Sequence, residues 1–185
     1  MSNRVSFLLA VGLVLLVQPI DAQEVRFGTE RFTSIEYLSI EKVRLTFDIR
    51  PRQPIASKEF DAYMAGAFVH FGLDGTSDRV ITSARLEWGG LPPIYLAESA
   101  FVDLHLPVVA SVEQKGSNLL VAISGGDAGS GYRASIEVAP YGVVSRRVHN
   151  RVSGYEQITM FSYPAYFIES TMNDLKKIRE KKLPK

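Results

Sequence analysis

Between Pro107 and Tyr163 the chain repeats one pattern: a short β-branched or apolar run, then a break rich in glycine, proline or serine. The runs are PVVASVE, NLLVAIS, YRASIEVA, GVVSRRVHN and YEQITMFSY. QKGS, a glycine-rich stretch, PYG and SG separate them. Connections this short suit strands that are antiparallel neighbours, because a parallel pair needs a long crossover. The second half of the chain therefore reads as an antiparallel meander.

The PYG link fixes a register. With Pro140, Tyr141 and Gly142 as the loop, Ala139 faces Val143, Val138 faces Val144 and Ala134 faces Val148. The other side pairs Glu137 with Ser145, Ser135 with Arg147 and Arg133 with His149. A slip of one residue would mix the two sets, since side chains alternate with a period of two. Proline suits the first turn position and glycine the left-handed one. This hairpin should have one apolar face and one wet, basic face. Arg146, opposite Ile136, interrupts the apolar side and is expected at an edge or a strand end. A turn at Ser153-Gly154 would set Arg151 opposite Glu156.

The first half is less regular. KVRLTFDIR alternates, with Val43, Leu45, Phe47 and Ile49 on one face, and predicts a strand. RVITSARLEW predicts another, bounded by LDGTSD and GGLPP. Residues 57–71 carry apolar side chains at helical spacing but end in a β-branched and aromatic run, so helix and strand both stay open. IYLAESAFVDLHL is apolar without a clear period. The expected fold is mainly β: one antiparallel domain, laid out as a meander, a sandwich or a curved sheet, with a short C-terminal helix. The alternative is α+β, with a helix near 57–68 packed on the sheet. In STMNDLKKIREKKLPK, Ser170 or Thr171 can cap the helix, and basic residues crowd its end. Met172, Leu175 and Ile178 give it a narrow apolar stripe, suited to weak docking.

The N-terminus reads as a secretory signal peptide over residues 1–22. Arg4 precedes an apolar run from Val5 to Val17, then Pro19 and Ala22. That run is shorter than the roughly 20 residues of a spanning helix. The remaining chain divides into a β-rich domain, 23–169, and a basic helix or tail, 170–185. Without cysteine, stability rests on packing and hydrogen bonds. There is no Asn-x-Ser/Thr acceptor. A periplasmic or secreted location is the expectation. A net charge of +1 gives no global field for nucleic acid or anionic membrane.

Several patterns hint at chemistry. Gly129 to Ala134 matches the dinucleotide fingerprint, but that motif needs a following helix, and YRASIEVA alternates like a strand. Ser124 in AISGG resembles a nucleophile elbow and fails for the same reason. The glycine stretch is then a hairpin tip. Of the three histidines, only Asp103-x-His105 sets two possible ligands close together, short of a metal site. No cofactor and no metal is called for. The wet face carries Arg133, Arg147 and His149, with Arg151 beyond them, and these are the candidate binding residues. Two functions follow. One is a non-enzymatic envelope or secreted protein that holds a ligand or protein partner on that face. The other is a small hydrolase-like enzyme using residues such as Asp103 and His105.

Overall fold

The computed structural model describes residues 23–38, 42–51, 79–101, 103–126 and 131–182. The expected signal peptide, the open segment 57–71 and the tip of the glycine loop at 127–130 lie outside them. The strands are β1 (Gln23–Arg26), β2 (Phe32–Leu38), β3 (Lys42–Pro51), β4 (Arg79–Trp88) and β5 (Ile94–Tyr95). After a 3-10 turn, Glu98–Ala100, come β6 (Pro107–Lys115), β7 (Asn118–Gly125), β8 (Tyr132–Ala139), β9 (Gly142–Asn150) and β10 (Glu156–Met160). A helix, α1 (Ala165–Lys182), follows. The fold is mainly β, as the alternation implies.

Two antiparallel sheets form, one ordered β1-β6-β7-β8-β9-β10 and the other β2-β3-β4-β5. Of the layouts the sequence allows, a sandwich is the one adopted. Leu45, Phe47 and Leu86 from the smaller sheet join Val112, Val121, Ile123 and Ile136 from the larger in one buried cluster. The predicted inward face of β3 is confirmed: Val43, Leu45, Phe47 and Ile49 are all buried. Asp48 lies on the opposite face, paired with Phe32 and Ser83, yet is only 8% exposed. Two arginines meet it there. Arg31 Nε and Nη2 donate to its two oxygens at 3.1 and 3.3 Å, and Arg50 Nη2 donates to Oδ2 at 2.8 Å.

Arg50, and then Arg31, hold the Asp48 carboxyl below the usual carboxylate range. A depressed folded pKa stabilises the fold above the unfolded pKa, and that stability is lost as pH falls through the folded value. Asp48→Asn should therefore be less stable than the wild type at neutral pH. The gap between their urea midpoints should close as pH drops below about 4. A gap that stays constant down to acid pH would remove the ion pairs as its cause.

The β8–β9 hairpin keeps most of the expected register: Arg133 pairs with His149, Ala134 with Val148, Ser135 with Arg147, and Glu137 with Ser145. Near the turn the expectation needs correction. Val138 pairs with Val143 and Ala139 with Gly142, because the register shifts after Glu137 and leaves Val144 as the extra residue. Gly142, at φ +137°, joins the strand, and the turn contracts to Pro140 and Tyr141. Added there, a Cβ would lie 2.3 Å from Tyr163 Oη, so the ring of Tyr163 occupies that space. The β9–β10 connection also differs. Glu156 pairs with His149, not Arg151. Asn150 Oδ1 accepts the N–H groups of Val152 and Ser153, both at 2.9 Å, which builds a wider loop than Ser153-Gly154 alone.

Arg146 is neither at an edge nor at a strand end. It faces the interior from the middle of β9, opposite Ile136, at 2% exposure. Its Nη2 donates to Asp103 Oδ1 at 2.5 Å and its Nη1 to Gln157 Oε1 at 2.6 Å. The helix starts ahead of Ser170, at Ala165, and Thr171 Oγ1 donates back to Phe167 O at 2.9 Å without capping an end. Its docking stripe is Ile168, Leu175 and Ile178, while Met172 points outward. Leu175 reaches the core with 1% exposure. No helix among the described residues is long and apolar enough to cross a membrane.

Candidate anion site on the outer face of the meander

Strand alternation gives the six-stranded sheet two faces. Ala134, Ile136, Val138 and Val148 point into the sandwich and are fully buried. Arg133, Arg147 and His149 are exposed on the other side, as the register predicts. β7 extends that face: Leu119, Val121 and Ile123 point inward, so Ser124 points outward beside Arg133. One cross-strand row thus reads Ser124, Arg133, His149 and Glu156 over four adjacent strands.

At the end of that row lies a shallow cavity of about 390 Å³, lined by Ser124, Arg133, His149 and Arg151. The sequence singled out three of these four. Arg151 belongs to the loop after β9, and its backbone N–H donates to Gly131 O at 2.8 Å. The end of the glycine stretch therefore holds Arg151 beside Arg133. Arg147 stands one row further in and does not line the cavity; its Nη1 lies 3.5 Å from Glu156 Oε1. The sequence presents Ser124 only as a rejected nucleophile elbow; carrying the hairpin register one strand further places it beside Arg133.

The glycine stretch itself is a strand-to-strand connection, since Gly125 pairs with Tyr132. With β8 following it, neither the dinucleotide motif nor a nucleophile elbow has its helix. Gly125 is required by close packing. A Cβ there would sit 2.4 Å from Leu106 O and 2.5 Å from Tyr132 Oη. Tyr132 is fully buried beneath this end of the sheet, and burial, reinforced by the charge of Asp103, pushes its hydroxyl far above the usual range.

Asp103 and His105 are engaged elsewhere. Asp103 is the acid paired with Arg146. His105 forms a β-bridge with Val80 at 3% exposure. Among the described residues, no three His, Cys, Asp or Glu side chains gather at metal-binding distance. Neither Asp103 nor His105 lines any of the three cavities described here.

Two further cavities are also arginine-lined, but each of their arginines has a hydrogen-bond partner within the fold. One, of about 390 Å³, lies beside Arg44, Arg85 and Glu87; Arg44 pairs with Glu36, and Arg85 with Glu87. The other, of about 460 Å³, holds Arg31, Arg50 and Arg79. Asp48 answers the first two, and Arg79 Nη2 donates to Glu30 O at 2.8 Å. Among the described residues neither Arg133 nor Arg151 has a carboxylate within ion-pair distance. Two guanidinium groups, an imidazole and a hydroxyl converge there, a donor set suited to an oxyanion. Comparison with known proteins returns no matching family model, no similar curated protein and no similar solved structure.

Proposed function

We propose that the chain is an exported, non-enzymatic binding protein that holds an anionic ligand or partner at the basic end of its six-stranded sheet. The observation that carries this reading is the cavity where Ser124, Arg133, His149 and Arg151 meet with no carboxylate partner for either arginine among the described residues. Export rests on the N-terminal pattern of Arg4, the apolar run and Ala22. Engagement of Asp103 by Arg146 weighs against a hydrolase built on Asp103 and His105.

A phosphocellulose column tests the site. Arg133→Gln, Arg147→Gln and Arg151→Gln together should elute at clearly lower salt than the wild type. Lys176→Gln, Lys177→Gln and Lys181→Gln together remove the same formal charge from the helix and should shift elution far less. Circular dichroism should show both triple variants folded. Equal shifts would mean that net charge alone drives retention, and the reading would fall.

A further inference from the structure

We infer that this site, which rests on the reading above, takes one tetrahedral oxyanion headgroup, a phosphate or sulfate monoester, in preference to an extended polyanion. The distribution of charge along the face carries the inference. Each cross-strand row is about 7 Å from the next. The first row and its adjoining loop hold Arg133, His149 and Arg151, with Glu156 at the far end of the row, turned to Arg147. One row in, Ala122 and Ser135 are neutral, and Arg147 lies against Glu156. Two rows in, Glu137 is negative and takes Lys115 Nζ at 2.6 Å and Asn118 Nδ2 at 2.8 Å. The positive field therefore ends within about one Debye length, roughly 8 Å at physiological ionic strength. A nucleic acid or a long sulfated or phosphorylated polymer needs a basic track that continues, and this face provides only its first step.

The donor set narrows the headgroup. A carboxylate is planar and is satisfied by one guanidinium fork. Here Arg133 and Arg151 approach from a strand and from a loop, while Ser124 and His149 flank them on neighbouring strands. Donors arriving from three strands and a loop can address more oxygens than one fork does, as a tetrahedral group offers. Two fixed positive charges match the charge of about −2 on a phosphate monoester.

Calorimetric titration of the folded, full-length chain tests this with phenyl phosphate, phenyl sulfate, acetate and long-chain polyphosphate. Phenyl phosphate or phenyl sulfate should bind saturably at one site per chain. Arg133→Gln and Arg151→Gln should each weaken that binding about tenfold or more. Comparing the two phenyl esters decides between phosphate and sulfate. Acetate that binds as tightly as both, and depends on Arg133, would overturn the headgroup assignment while leaving an anion site. Polyphosphate whose affinity per chain grows with polymer length would overturn it in the same way. If no anion binds, or if binding is indifferent to Arg133 and Arg151, the anion site falls together with the headgroup.

Discussion

Asp103→Ala should cost the fold about 3–5 kcal/mol, measured by urea unfolding, although it alters an acid that the sequence places in no strand. Its partner, Arg146, is 2% exposed and aims from β9 into the sandwich. Removing Asp103 leaves a buried guanidinium with its charge uncompensated and Gln157 as a neutral acceptor. Arg146→Met should be milder. It leaves the charge on Asp103, whose side chain is 16% exposed and so keeps some access to water. The double variant Asp103→Ala, Arg146→Met should be more stable than Asp103→Ala alone, because it removes the buried charge that the single variant leaves uncompensated. The mutant cycle would then show a coupling of about 0.5–3 kcal/mol. A cost for Asp103→Ala below about 1 kcal/mol, the level of an ordinary surface change, would mean that the pair does not hold this end of the sandwich.

That pair also marks where sequence reasoning stops. The hairpin rows around Arg133, Ser135 and Glu137 were legible because alternation and one turn suffice to fix them. Arg146 broke the same alternation, and the partner that explains it lies 43 residues away, in a segment with no period of its own. Nothing local to β9 announces Asp103. The turn at Pro140 was misjudged by one residue for a similar reason: Tyr163, from beyond β10, fills the space next to Gly142. Likewise the Ser153-Gly154 turn gave way to a loop organised by Asn150, whose side chain competes for nearby backbone N–H groups. The lining of the basic cavity was largely visible in the sequence. Arg133 and His149 follow from register alone, and Ser124 follows once β7 is aligned on β8. That Arg151 joins them depends on its backbone bond to Gly131, a contact that the pattern of side chains does not encode.

Phe101→Ala should be as damaging as the loss of Asp103, at about 3–5 kcal/mol by the same urea measurement. Phe101 follows the 3-10 turn and is fully buried, although its segment gave no clear period. It packs edge-on to Phe47 of β3 at 6.1 Å between ring centroids, and Phe47 packs edge-on to Phe27 at 5.4 Å. Phe27 lies just past β1 and donates its N–H to Val108 O of β6 at 2.9 Å. The three rings thus run from the larger sheet, through the smaller one, to the connection that links β5 to β6. Removing the last ring opens a cavity that the two sheets cannot close without separating from their own neighbours. Phe101→Leu keeps most of the volume and should cost well under half as much. That milder variant also separates core from site. Phe101 lies within the sandwich, whereas Arg133 and Arg151 project from its outer face. Phe101→Leu should therefore bind phenyl phosphate as the wild type does, at a temperature where both are folded. A loss of binding comparable to that of Arg133→Gln would show that the basic cavity depends on core packing as well as on the residues that line it.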